Sequence, residues 1–143
     1  MARIEKMSFD DLGGVHALEK ECFPNPLVYN KESLRYDLAF TAKEEDRLIG
    51  YIVGEKILDE CHILRIAVSP EFRRKGVAGE LLDKFAGDCL SCGLKKICLE
   101  VRASGVAALN LYKRSGFRQI YIRKKYYPDN NDDAIFMEKV LEG

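Results

Sequence analysis

The sequence lacks most of the features that assign a protein quickly, and each absence excludes something. Lys plus Arg and Asp plus Glu number 23 each, so there is no global basic field to hold nucleic acid. No apolar run approaches the ~18 residues of a membrane-spanning helix, and no signal-peptide apolar region opens the chain. The expectation is a cytoplasmic protein with neither a membrane nor a nucleic-acid partner. The two histidines, His16 and His62, stand too far apart in sequence to suggest a metal centre, so both are read as structural and no metal is expected. Cys22, Cys61, Cys89, Cys92 and Cys98 are an odd number in core-like segments, and Cys89-Leu-Ser-Cys92 is a lone CxxC. With Phe85, Cys89 and Cys92 on one helix face, the thiols are read as packing groups. Repeats, linkers and low-complexity tracts are missing too. The 143 residues therefore read as one domain, 1–143, long enough to bury a core.

What is present is a sequence of strands and helices. Ala2 to Met7 reads as a strand, and Ser8 or Asp10 caps a helix with Leu12, Val15, Leu18 and Cys22 inward. Phe23-Pro24-Asn25-Pro26 ends it, because a proline disfavours helix in the residue before it. Asn30 then caps a second short helix with Leu34 and Leu38 inward. From Phe40 to Val68 the pattern is an antiparallel meander, turning at Glu45-Asp46 and at Leu58-Asp59-Glu60. A helix follows and stops at Gly93. Then come a strand over Ile97-Cys-Leu-Glu-Val, a helix from Ala107 to Ser115, a strand from Arg118 to Tyr126, and a last one at Ala134-Ile-Phe-Met-Glu-Lys-Val. Strands first and then a mixture predict an α+β fold, a mostly antiparallel mixed sheet of about seven strands with helices on both faces.

The stretch joining the meander to its helix is the most informative. Cys61 to Val68 is apolar and β-branched, and Leu81, Leu82, Phe85, Ala86 and Cys89 recur at helical spacing. Between them lie Arg73, Arg74, Lys75, Gly76, Val77, Ala78 and Gly79. Glycine lets backbone N–H groups approach a ligand, and the first turn of a helix offers free donors at the positive end of its dipole. The combination predicts an anion cradle, most simply for a pyrophosphate. A charged surface turn before an ordinary helix is the alternative. There is no Gly-Lys-Ser/Thr, so it is not a P-loop, and GxxG without a preceding GxG fails the dinucleotide fingerprint.

Three further signals are weak singly. Strand alternation puts Glu100 on one face with Cys98, away from Leu99 and Val101. A mid-strand carboxylate is costly unless it is paired, solvated or used, and Arg102 or Arg65 is its candidate structural partner. Tyr112 either packs on the sheet or presents its hydroxyl. Tyr126-Tyr127-Pro128 reads as a strand end and turn.

Their order and spacing resemble a known family. Arg73-Arg74-Lys75-Gly76-Val77-Ala78 resembles the acetyl-CoA loop of GNAT N-acetyltransferases. Leu99-Glu-Val-Arg-Ala-Ser, Ala107 to Phe117, Lys125-Tyr-Tyr-Pro and Asp133-Ala-Ile-Phe-Met are similar to the RimI-type N-terminal acetyltransferases. The resemblance implies a three-layer α/β/α domain that moves acetyl from acetyl-CoA, a co-substrate, to the α-amine of a protein such as a ribosomal protein. It implies Glu100 as general base, made effective by burial, and Tyr112 as general acid. By the same resemblance Ile66, Ala67 and Val68 hold pantetheine and acetyl through their backbone, and Arg73 to Gly79 hold the pyrophosphate. Tyr29, Tyr126 and Tyr127 wall the acceptor, and a monomer or weak homodimer is expected. Gly105 stands where the family has a cofactor-contacting Asn, and Pro26-Leu27-Val28 where it has Pro-Trp-Ser.

Overall fold

The computed structural model describes residues 2–32 and 38–142. Strand β1 is Arg3–Lys6, helix α1 Leu12–Cys22, β2 Ala39–Glu44, β3 Arg47–Ile57 and β4 Glu60–Val68. Helix α2 is Val77–Ser91, β5 Lys96–Arg102, α3 Val106–Arg114, β6 Arg118–Arg123 and β7 Ala134–Val140. The strands form one seven-stranded sheet in the order β1-β2-β3-β4-β5-β7-β6. Neighbouring pairs are antiparallel at β1–β2, β2–β3, β5–β7 and β6–β7, while β4 and β5 run parallel. This is the α+β mixed sheet that the sequence predicts. The expected second helix falls on residues 33–37, outside the described ones. No helix among the described residues is long and apolar enough to cross a membrane.

The chain resolves into two compact units, Met1–Glu55 with Ile63–Asp88, and Lys56–His62 with Cys89–Gly143. In the first, Met7, Leu12, Val15, Leu18, Ala39, Tyr51, Val53 and Ala67 form one buried cluster. Phe40 and Phe85 add an edge-to-face ring pair at 6.5 Å. Ser8 begins this packing: its N–H donates to Asp11 Oδ2 at 2.8 Å, closing a 3-10 turn over Phe9–Asp11 that runs into α1. Asp11 is itself held by Lys43 Nζ at 2.8 Å. The expected helix start is therefore preceded by one tighter turn.

In the second unit Ile97, Leu99, Tyr112, Phe117, Ala134 and Met137 are buried. Strand β5 alternates as expected, with Ile97 and Leu99 inward and Glu100 exposed. Helix α2 ends in a left-handed cap. Gly93 has φ of 79°, Gly93 N–H donates to the Leu90 carbonyl at 3.0 Å, and Leu94 N–H reaches the Cys89 carbonyl at 3.1 Å. Leu94, 3% exposed, then seals the turn. Cys89 is buried but Cys92 is exposed, so the shared inward face does not extend that far. The helix has already ended at Ser91, and Cys92 lies on the cap.

A Cβ added at Gly93 would meet nothing within 4 Å. Gly93→Ala should therefore cost only the left-handed backbone strain, roughly 1–2 kcal/mol. Urea denaturation should show this as a lower midpoint at unchanged slope.

Candidate active site

The first unit holds the strand–turn–helix. Strand β4 brings Ile66, Ala67 and Val68 to its end, where Ser69 N–H donates to the Ile49 carbonyl at 2.8 Å. The Ser69 hydroxyl donates to Glu21 Oε1. Pro70–Phe72 make a 3-10 turn, and Arg73 to Gly76 carry the chain into α2. Within that stretch Arg74 at φ 64° and Gly76 at φ 82° both lie in the left-handed region. A non-glycine residue there is strained, which is a mark of segments shaped for a ligand. Glu80 N–H makes its helical bond to the Gly76 carbonyl at 3.0 Å, so α2 starts where the glycine turn ends. Beyond the glycines the space is open: a Cβ at Gly76 or Gly79 would meet nothing within 4 Å. Arg74 and Lys75 are exposed. Arg73 is tethered to the end of β4. Its Nε donates back to the Val68 carbonyl at 3.0 Å, which also accepts from Cys22 Sγ at 3.4 Å.

The same unit holds the residue that sequence reasoning missed. Glu19 is fully buried on α1. Its Oε1 accepts from Arg65 Nη2 at 2.8 Å and from Leu27 N–H at 2.8 Å. Its Oε2 accepts from Arg65 Nε at 3.1 Å and from the Tyr51 hydroxyl at 2.6 Å, and Tyr51 in turn meets the Tyr29 hydroxyl at 2.9 Å. Tyr29 N–H donates to His16 Nε2 at 3.0 Å. The loop of Leu27 and Tyr29 is thus tied to α1 by backbone and side chain together. Arg65 also stacks 3.5 Å from the Phe23 ring centroid. A sequence signal existed, since Glu19 sits four residues after buried Val15 on the inward stripe of α1. Burial would raise the Glu19 pKa, but the bonds from Arg65, Tyr51 and Leu27 outweigh it and hold the group below its usual range.

The second unit holds the acid–base candidates. Glu100 is exposed on β5, not buried as expected, and accepts no hydrogen bond or ion pair among the described residues. Its two proposed structural partners are engaged elsewhere. Arg65 holds Glu19, and Arg102 forks onto Asp129 at 3.1 Å from both nitrogens. Glu100 is registered opposite Phe136 on β7. Around Phe136 gather Tyr121, stacked at 4.5 Å, and Tyr126, edge-on at 6.0 Å. Tyr127 packs edge-on to Tyr126 at 5.1 Å, and Arg102 lies 3.9 Å over its ring. Burial raises the Tyr127 pKa, and the charge of Glu100 adds to the rise. Glu100, Tyr126 and Tyr127 are therefore brought together.

Tyr126 does not end a strand. Strand β6 stops at Arg123, and a turn at Lys124-Lys125 follows, with Lys125 at φ 51°. Asp133 holds this turn, accepting from Lys125 N–H at 3.0 Å and from Lys124 Nζ at 3.2 Å. Tyr112 is 7% exposed on α3, edge-on to Phe117 at 5.8 Å, and burial pushes its pKa up to about 12. Its phenol is protonated at neutral pH. Gly105 is the residue before α3, and a Cβ there would come within 3.2 Å of the Arg102 carbonyl. Any side chain in its place would require this turn to open slightly.

Sheet order and element order define the class: an α+β protein with the mixed seven-stranded sheet of N-acetyltransferases. The model of the acetyltransferase (GNAT) family matches residues 8–117, and the chain belongs to that family. It is 33% identical to the ribosomal protein bS18-alanine N-acetyltransferase of Salmonella typhimurium, across 96% of each chain. The crystal structure of the ribosomal-protein-S18-alanine N-acetyltransferase from Escherichia coli superposes with a TM-score of 0.86 at 27% identity, covering 100% of this chain and 96% of that one. Ard1 from Thermoplasma volcanium superposes at 0.85 with 26% identity and 99% coverage of both.

Removing one partner of a buried ion pair costs roughly 3–5 kcal/mol, and the partial exposure of Arg65 puts Glu19→Ala near the lower end. The lowered pKa means the native state binds this proton more weakly than the unfolded chain. The stabilisation is complete above the ordinary carboxylate pKa of ~4.3 and lost as pH falls through the lowered native value. Denaturant titrations should therefore show a wide gap between wild type and Glu19→Ala at neutral pH, narrowing in acid.

Proposed function

We propose that this protein transfers the acetyl group of acetyl-CoA to the α-amine at the N-terminus of a protein, a ribosomal protein being the candidate acceptor. Support comes from the family, from relatives named as ribosomal-protein-alanine N-acetyltransferases, and from one observation above all: among the described residues Glu100 is a carboxylate without a hydrogen-bond or ion-pair partner, beside Tyr126 and Tyr127. An α-amine of pKa ~8 is about one-tenth neutral at pH 7, whereas a lysine at ~10.4 is neutral only a few times in ten thousand. A carboxylate base without stronger assistance therefore favours the α-amine.

In this reading Glu100 accepts the proton that the amine loses as the amide bond forms and the thioester C–S bond breaks, directly or through water. Tyr112 donates a hydrogen bond to the departing sulfur. Its phenol, held at about 12, is a weaker acid than a thiol of ~8.5, so full proton transfer would be uphill and the sulfur takes its proton from solvent. The open space at Gly76 and Gly79, at a helix start where backbone N–H groups and the dipole favour an anion, fits a pyrophosphate, and Arg74 and Lys75 supply charge. Ile66, Ala67 and Val68 supply backbone for the pantetheine arm. Tyr126 and Tyr127, packed edge-on beside Glu100, wall the acceptor.

The deciding assay offers acetyl-CoA with a peptide bearing a free N-terminus and a small first residue. A second peptide carries a blocked N-terminus and internal lysines, and mass spectrometry locates the acetyl group. The first should be acetylated and the second far more slowly; equal rates overturn the α-amine reading in favour of a lysine or small-amine acetyltransferase. Glu100→Gln should lower kcat by roughly 10²–10⁴-fold with acetyl-CoA affinity unchanged. A hydrogen bond to a charged atom contributes roughly 1.5–3 kcal/mol, so Tyr112→Phe should lower kcat about 10–100-fold. Because the phenol stays protonated up to about 12, that factor should be the same across the neutral pH range.

Gly79→Ala separates ligand approach from helix stability. Alanine in a helix is more stable than glycine by roughly 0.5–1 kcal/mol. The variant should melt higher yet bind acetyl-CoA more weakly by calorimetry, and unchanged affinity removes Gly79 from the cradle.

A further inference from the structure

The sequence reading sets His62 aside as structural, but the parallel ladder between β4 and β5 gives it two neighbours. Glu60 and His62 alternate onto one face of β4. The ladder pairs Glu60 with Lys96, Cys61 with Ile97, and His62 with Cys98. Cys98, 38 positions from Glu60 in sequence, thereby arrives beside both. His62 Nε2 lies 3.3 Å from Glu60 Oε1, Cys98 Sγ lies 3.6 Å from the same oxygen, and all three donor atoms fall within 4.8 Å of one another.

Those separations have a coordination meaning. Zinc bonds of about 2.0–2.1 Å to nitrogen or oxygen and about 2.3 Å to sulfur give tetrahedral ligand-to-ligand edges of roughly 3.3–3.6 Å. The two short separations already match such edges. Thiolate, imidazole and carboxylate are a donor set for a borderline-soft divalent ion, not for magnesium or calcium. None of the three is sealed off: Glu60 is 31% and His62 39% exposed, which leaves room for water as a fourth ligand. Lys96 Nζ sits 3.4 Å from the other oxygen, Glu60 Oε2, and 3.2 Å from Glu138 Oε2. The lysine thus neutralises the far side of Glu60 and leaves Oε1 facing the histidine and the cysteine.

We propose that Glu60, His62 and Cys98 form a three-ligand binding site for a zinc-class divalent cation, with water completing a tetrahedron. Binding replaces the Cys98 thiol proton, which leaves to solvent, by a metal–sulfur bond. The ion cross-links β4 to β5 at the His62–Cys98 pair of their ladder. Glu100 follows Cys98 by two positions on the same face of β5, so the site braces the strand that carries this carboxylate. The assignment rests on coordination geometry and is independent of the acetyl-transfer reading.

The test uses the full chain, stripped by chelator and titrated with Co²⁺ as a spectroscopic stand-in for zinc. Wild type should develop a near-ultraviolet thiolate-to-cobalt charge-transfer band and the visible bands of a tetrahedral ion, saturating at one equivalent and bleached by Zn²⁺. Cys98→Ser should abolish the charge-transfer band, His62→Ala should weaken binding, and Cys92→Ala, which removes the exposed thiol, should leave the titration unchanged. Zn²⁺ should raise the melting temperature of wild type and not that of Cys98→Ser. A wild type without the band overturns the site. So does a band that survives in Cys98→Ser, whichever other thiol then carries it.

Discussion

A buried carboxylate organises the first unit. Glu19 cannot sit in the core uncompensated, so Arg65, Tyr51 and the Leu27 N–H must all reach it. Each of those partners belongs to a different part of the chain. Arg65 stands on β4, two residues ahead of Ala67, and Tyr51 on β3, while Leu27 lies on the loop after α1. Satisfying one charge therefore fixes α1, two strands and the loop carrying Tyr29 in one arrangement. The network also engages the hydroxyls of both Tyr51 and Tyr29, so the Tyr29 ring is held by its polar end.

The second unit shows the opposite treatment of a charge. Four cations on this side are paired with carboxylates: Arg102 with Asp129, Arg118 with Glu138, Lys124 with Asp133, and Lys96 with both Glu60 and Glu138. Glu100 is left with tyrosines for neighbours. Exposed, and free of a guanidinium among the described residues, its oxygens stay open to solvent, which a bidentate arginine would prevent. The cost of leaving it unpaired is small because water reaches it. The contrast between Glu19 and Glu100 separates a buried, fully engaged carboxylate from an exposed one, a difference that neither position in the sequence reveals.

Much of the fold was legible. Alternation over Ile97 to Val101, the apolar stripe of α2 and the Gly93 stop correspond to real elements within a residue or two, because each depends on local periodicity or on one backbone angle. The strand of Tyr126 was misread for a tertiary reason. Nothing in Arg-Lys-Lys-Tyr-Tyr announces a break, and the turn at Lys124-Lys125 exists because Asp133 arrives from the start of β7 to hold it. Likewise sequence offers Arg102 or Arg65 as a partner for Glu100, whereas Arg65 forks onto Glu19, on a helix 46 positions away.

By itself the sequence determined the order of elements, the glycine–cation turn and the family resemblance, since spacing and residue type are local properties. Only the tertiary structure decided how those residues are used. It turned Arg73 back onto Val68, exposed Glu100, buried the Tyr112 ring, and set Cys98 beside His62 and Glu60. The physical reason is that a charge or a donor is defined by what it pairs with, and pairing across strands depends on register, which no single stretch of sequence contains.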